Sequence, residues 1–263
     1  MWDDRRGAAT PQSLTVAQSL GTPRAAETLT RITGPRVEVP DEFRAVGTAK
    51  ATCPAGTTPT GGGMTASPER FIVAVMSSYA QGRDWIVTAM QDDFQTTGTI
   101  AATVICSSAP HHQIFGDRVA LGTNQTALLH QRCPLGEVPT GGGGRGSDVG
   151  VLVQSSLPNL DAWEIGYWNA TAAPRTVEPF VICSAEPHHP VPGRPGSVTK
   201  FHGTGTSQVQ CPAGQQVTGG GGYSEGTELI LSTFENNGWR ASSANASSDT
   251  REVTAMVVCT GSQ

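Results

Sequence analysis

Lysine is nearly missing from this sequence: of its 17 basic residues only Lys50 and Lys200 are lysine. Charge of either sign is sparse at 15%, and the net charge of −5 offers no positive field to a nucleic-acid backbone or an anionic membrane. Nucleic acid and membrane insertion are therefore excluded as partners. No run of 18 apolar residues exists, so no spanning helix is expected. The opening "MWDDRRGAATPQ" lacks the apolar core of a signal peptide, which implies either a removed signal or another route out of the cell. Helix formers are sparse after the first thirty or so residues, and nothing alternates strand with helix, so a parallel sheet is excluded. No C-x-x-C occurs, which removes a structural zinc cluster built from closely spaced cysteines.

What is present is glycine, 32 residues of it, with abundant Ser and Thr and six cysteines. These fall into a repeat. "CPAGTTPTGGG" at Cys53 returns as "CPLGEVPTGGGG" at Cys133 and "CPAGQQVTGGGG" at Cys211, 80 and 78 residues apart. Each unit continues to a tryptophan (Trp85, Trp163, Trp239), an amide six residues on (Gln91, Asn169, Asn245) and a second cysteine (Cys106, Cys183, Cys259). Only one of the fifteen pairings of six cysteines lets every unit solve the same problem alone. It joins Cys53 to Cys106, Cys133 to Cys183 and Cys211 to Cys259. Each bridge closes a loop of about 50 residues, worth roughly 4 kcal/mol in the chain-entropy model. Three disulfides imply an oxidising compartment, either extracellular or on a virion surface.

Alternation supplies the strands. In "DWIVTAMQ", "AWEIGYWN" and "GWRASSAN" the Trp and the amide share one face, because side chains alternate with a period of two. "IAATVIC", "VEPFVIC" and "VTAMVVC" are apolar on both faces, as central strands are. The fold class is all-β, with three disulfide-stapled repeats of about 75 residues, β-sandwich-like or arranged about a pseudo-threefold axis. Separate but tightly stacked units are favoured, since such a length plus a disulfide closes its own core. The expected division is an N-terminal extension over 1–32, for an anchor or oligomer contact, and repeats over 33–108, 109–185 and 186–263. The Pro-rich stretches at 107–117 and 184–196 read as connectors.

Several motifs imitate chemistry. The three glycine runs are Gly61, Gly62 and Gly63; Gly141, Gly142 and Gly143; and Gly219, Gly220 and Gly221. They are not phosphate loops, because no Lys follows and the context is strand. Recurring inside a disulfide loop, they read as surfaces against which Trp85, Trp163 and Trp239 pack closely. "GYSEG" around Ser224 matches a nucleophile elbow, but no histidine follows His202 and the other repeats lack the serine. No catalytic residue is assigned, and the chain is expected not to be an enzyme. "PHH" occurs twice, placing His111, His112, His188 and His189 beside the repeat boundaries. They would hold zinc, nickel or copper only if the two stretches met, and otherwise are polar filler. No metal or cofactor is expected. Asn124, Asn169 and Asn245 head sequons, which matter only in a glycosylating host.

The repeats differ at two aromatics that only the second carries, Tyr167 and Trp168, pointing to opposite faces of one strand. With Tyr223 they are the candidate ligand contacts, since sugar rings and partner side chains pack on exposed rings. The competing reading for the pair is a contact between repeats. The segments between glycine run and Trp, 64–84, 144–162 and 223–238, vary in length as exposed tips do.

The unit C-P-x-G, T-G-G-G, Trp with Asn six on, and V-[IV]-C resembles a repeat of secreted actinobacterial proteins and of some phage tail and pilus-tip adhesin proteins. The likeness runs from Cys53 to Cys259, and repeat one departs from it with Gln91. It implies an extracellular structural or recognition module and carries over no catalytic residue. The expectation is a virion or appendage component, homo-oligomeric, contacting other surface proteins or glycans. A secreted lectin-like or cell-wall-binding protein is the second reading, and a serine hydrolase acting through Ser224 a distant third.

Overall fold

The computed structural model describes residues 27–69, 73–91, 97–224 and 226–261. The extension expected over 1–32 lies outside them up to residue 26, as do the adjacent carboxylates Asp92 and Asp93. Twenty-one strands are described, seven for each repeat. The first set is β1 (Leu29–Thr33), β2 (Val37–Val39), β3 (Val46–Thr52), β4 (Thr58–Ser67), β5 (Val73–Gln81), β6 (Asp84–Gln91) and β7 (Gly98–Ser107). The second is β8 (His112–Phe115), β9 (Val119–Leu121), β10 (Thr126–Arg132), β11 (Val138–Gly146), β12 (Val151–Asn159), β13 (Ala162–Asn169) and β14 (Arg175–Ser184). The third is β15 (His188–Pro192), β16 (Gly196–Val198), β17 (Gly203–Gln210), β18 (Val217–Ser224), β19 (Glu228–Glu235), β20 (Gly238–Asn245) and β21 (Arg251–Thr260).

Separate stacked units do not form. Every repeat divides its strands between two of three seven-stranded antiparallel sheets, in a closed cycle. β1, β2, β7 and β4 continue into β19, β20 and β17 of the third repeat. The hairpin half β3–β6–β5 joins β11, β14, β8 and β9 of the second, and β10–β13–β12 joins β18, β21, β15 and β16 of the third. The result is one three-sided body with a pseudo-threefold axis and a main core drawn from all three repeats, including Val87, Ile100, Val153, Tyr167, Leu229 and Val253.

The Pro-rich stretches are not connectors but edge strands: β8 and β15 pair with β14 and β21 as β1 pairs with β7. Proline is tolerated there because an edge strand leaves one side without a ladder to donate to, which suits Pro190 and Pro192 in β15. The first repeat thus begins before Leu29 rather than at 33. Most described residues of the variable segments are strand rather than exposed tips, in β5, β12 and β19 and in the ends of β4, β11 and β18.

All three predicted disulfides are formed, with S–S distances of 2.01, 1.98 and 2.01 Å. Each joins the end of one sheet's edge strand to a strand of the next sheet: Cys53 after β3 to β7, Cys133 after β10 to β14, Cys211 after β17 to β21. A bridge inside one repeat is therefore a staple between two sheets. Three such bridges fit an oxidising, extracellular environment, and no helix among the described residues is long and apolar enough to cross a membrane.

The three glycines of each run have separate tasks. The first ones, Gly61, Gly141 and Gly219, meet at the axis: a Cβ on Gly61 would lie 2.6 Å from Gly219 Cα, and one on Gly141 2.6 Å from Gly61 Cα. Beside them Thr140 Oγ1 donates to Thr60 O at 2.9 Å, linking repeats through buried hydroxyls. The second ones, Gly62, Gly142 and Gly220, face tryptophan as expected. A Cβ on Gly62 would lie 2.4 Å from the Trp85 ring, one on Gly142 2.2 Å from Trp163, and one on Gly220 2.4 Å from Trp239. The third ones meet the neighbouring repeat: a Cβ on Gly63 would strike Ser232 O at 1.8 Å, one on Gly143 Ser78 O at 2.0 Å and one on Gly221 Ser156 O at 1.7 Å. The expectation that the whole run makes room for Trp is therefore corrected. It holds for Gly62, Gly142 and Gly220, while the glycines on either side of them make room for backbone of other repeats.

Candidate functional site

Those same serines mark the seams. Trp85, Trp163 and Trp239 are buried, and each indole Nε1 donates to the serine seven residues before it: Ser78 at 3.0 Å, Ser156 at 2.9 Å and Ser232 at 2.9 Å. The serine hydroxyl thus satisfies its own hairpin's buried indole while its carbonyl packs on the next repeat's glycine. Ser at Trp−7 recurs in all three units and was the readable signal for these residues.

The amides six residues after Trp build loops. Asn169 is fully buried, and its Nδ2 donates to Leu121 O, Gly122 O and Ala173 O at 3.1, 2.9 and 2.9 Å, while Oδ1 accepts from Thr171 N and Oγ1. Asn245, also buried, donates to Asp249 O at 2.7 Å and accepts from Ser247 N and Oγ. An amide with its donors and acceptor occupied and no exposed surface is inaccessible to glycosylation in the folded protein. The sequons at Asn169 and Asn245 are turn motifs. Asn124 differs: it is exposed, at φ 54°, and its Oδ1 accepts from Trp168 Nε1 at 3.1 Å.

The Asn245 turn borders a cleft of about 370 Å³ whose other wall is strands β10, β12 and β13 of the second repeat. Repeat two contributes Trp168, Thr126 and Gln154; repeat three contributes Glu228 and, beside the Asn245 turn, Ala246 and Ser247. Trp168 is half-buried and also packs against a small apolar group containing Met76, Met90 and Leu152. It therefore serves both readings given to it, a contact between repeats and an accessible ring. The corresponding strand positions hold Met90 and Ala244, so the aromatic wall exists once in the cycle. An indole face beside a carboxylate, an amide and two hydroxyls is the composition of a site that stacks an apolar ring face and hydrogen-bonds its rim.

Tyr167 is not part of this cleft. It is fully buried in the main core, and burial together with nearby Glu178 holds its phenol well above the usual tyrosine range. The parity that sets Trp163 and Asn169 inward sets Tyr167 inward with them. Tyr223 is 40% exposed on β18 and paired with Ser155, but it does not line the cleft. Ser224 is buried at the end of β18, its Oγ donating to Glu252 O at 2.9 Å and lying among Thr227 and Ser243 hydroxyls; the next element among the described residues is strand β19, not a helix.

A second cleft, about 240 Å³, is lined by Arg118, Arg145 and Glu178. Its charges are paired internally: Arg145 and Arg118 both approach Glu178, and the Arg145 guanidinium lies 4.4 Å over the Phe115 ring. Hydrogen bonding to Glu178 raises the Arg145 pKa above its ordinary value.

The histidines separate by strand alternation. His112 is exposed and pairs with Glu137, and His189 is buried with Nδ1 against Gly261 O at 2.9 Å. His111 and His188 come together, ring centroids 6.1 Å apart at 68°. No protein-family model matches the chain, and no curated protein sequence matches it.

Proposed function

We propose that this chain is a non-enzymatic recognition protein of the extracellular space, a disulfide-tied scaffold presenting the Trp168 cleft to a surface glycan. The cleft carries the reading: it is the place where the threefold pattern is broken in favour of an accessible aromatic ring beside hydrogen-bonding groups. Sheets bridged at every corner suit a protein that works without chaperones or reducing partners. The resemblance to repeats of secreted proteins and of phage tail and pilus-tip adhesins supports a virion or appendage component as its setting. Tail, capsid or pilus genes beside this one favour that setting; genes for secreted enzymes favour the free lectin-like form.

The decisive experiment is a glycan and cell-wall polysaccharide screen with the disulfide-intact protein, repeated with Trp168→Ala. Retention of a glycan by the wild type and its loss in the variant support the reading. A screen without hits, or hits that Trp168→Ala leaves unchanged, removes the cleft as the binding site. Light scattering of the full chain tests the expected homo-oligomer; a strict monomer counts against the virion setting.

A further inference from the structure

We propose that Glu27, His111 and His188 form a divalent-metal site of two imidazoles and one carboxylate, suited to zinc, which pins the segment leading into β1 onto the two neighbouring repeats. The three side chains come from the starts of three different repeats, and their ligand atoms all lie within 4.8 Å of one another.

The histidines are not there for packing. Leu29 faces Ser107 across the β1–β7 pair, and His188 faces Thr260 across β15–β21. His111, one residue before the His112–Cys183 pair, holds the same position in the second repeat. The fold fills this position with leucine once and histidine twice. The His111 and His188 side chains are 0% and 1% exposed, and among the described residues neither Nε2 has a hydrogen-bond partner. A buried polar atom left without a partner is destabilising, where leucine would not be.

The geometry around the rings is that of prepared ligands. His111 Nδ1 faces Ala109 O at 3.1 Å, and His188 Nδ1 faces Glu186 O at 2.9 Å. A carbonyl accepts, so both Nδ1 atoms carry the proton and both Nε2 atoms present a lone pair. This is the outer-shell arrangement that orients metal-bound histidine. Glu27 stands between them, Oε1 at 3.6 Å from His111 Nε2 and Oε2 at 3.8 Å from His188 Nε2. Those distances exceed a hydrogen bond and approach the separation of about 3.3 Å between two ligands on a tetrahedral zinc. The Ser107 hydroxyl donates to Glu27 Oε1 at 2.5 Å and steadies the carboxylate. Two nitrogens and one carboxylate favour zinc over calcium or magnesium and leave a fourth position for water.

The test uses the full chain without an affinity tag, stripped with EDTA and dialysed. Zinc sulfate titrated by calorimetry is expected to bind at one ion per chain and to raise the melting temperature, and EDTA to reverse both. His188→Leu, which copies Leu29, and Glu27→Gln are each expected to weaken zinc by ~10-fold or more. His112→Ala is expected to bind as the wild type. The proposal falls if the stripped wild type takes up no zinc, or if His188→Leu and Glu27→Gln both retain wild-type affinity. Should His188→Leu fail to fold, Glu27→Gln alone decides between these outcomes. Glycan binding at the Trp168 cleft is read separately and is independent of the result.

Discussion

Each repeat carries two sets of glycines a few residues apart, and they are kept for opposite reasons. In the Cys-Pro-x-Gly turn, Gly56, Gly136 and Gly214 adopt φ of 82°, 87° and 83°, and a Cβ on any of them would meet nothing within 4 Å. In the glycine run, Gly63 lies in an extended strand, where backbone angles suit any residue, but a Cβ would overlap a neighbouring carbonyl. The turn needs a conformation and the run needs space. The turn closes through its own backbone, Thr57 N donating to Pro54 O at 3.2 Å, as Glu137 and Gln215 do in the other repeats. The run closes against other repeats through its first and third glycines, and against its own repeat's Trp through the second. Repetition alone cannot distinguish turn from run, because both recur with equal fidelity.

Substitutions separate them. Gly63→Ala or Gly221→Ala places a methyl 1.8 or 1.7 Å from a backbone carbonyl at the seam between two repeats. No side-chain rotation relieves that, so the expected outcome is loss of the folded state, beyond about 4 kcal/mol, visible as absent cooperative melting in circular dichroism. A cooperative transition within a few degrees of wild type would refute the seam assignment.

Next in size is the staple beside the turn. Cys211→Ser with Cys259→Ser frees β17 from β21 at the corner where the third repeat passes from one sheet to the next. The loop entropy predicts a loss of roughly 4 kcal/mol, read from urea unfolding under non-reducing conditions. The same sharing of strands predicts that residues 109–185 alone do not fold, since both of their half-sheets would end on edges that need a neighbour. A dispersed amide NMR spectrum from that fragment would show the repeats to be separable after all.

How much of this was legible follows from what each residue touches. The disulfides were readable because three copies posed one pairing problem, and Trp163 and Asn169 because alternation fixes which face a strand residue takes. The same parity could have moved Tyr167 from the ligand candidates into the core. Partner strands were not readable: alternation says that β5 has an inner face, not that β11 of another repeat lies beside it. Of the glycine run, the contacts of Gly62, Gly142 and Gly220 were readable because their tryptophans stand in the same repeat. The other two tasks were hidden, since they concern neighbours in other repeats, 65 residues or more away in the chain. Pro190 and Pro192 disguised β15 as a linker, because proline is a strand breaker only where the ladder needs its N–H. For the candidate site, Trp168 was visible as an aromatic without counterparts; the facing Asn245 turn was not, because it belongs to the next repeat.

The smallest effects test conformation without space. Gly56→Ala adds a methyl to open solvent but holds alanine at φ 82°, which costs about 1–2 kcal/mol. Asparagine at Gly56 is expected to recover part of that loss, because its side chain tolerates the left-handed region.

The hairpin tips give the converse case. Gly82, Leu160 and Asn236 occupy equivalent first positions of two-residue turns, at φ 61°, 54° and 53°. Two of the three are residues suited to that region; Leu160 is not, and it is 87% exposed, so no burial offsets the strain. Leu160→Asn copies the third repeat and relieves a backbone penalty while removing an apolar side chain from water. Stability is expected to rise by about 1 kcal/mol, measured as a higher urea midpoint with unchanged slope. If the midpoint falls instead, the Leu160 side chain contributes more to the folded state than its backbone conformation costs, and the turn is not the strained position that its φ implies.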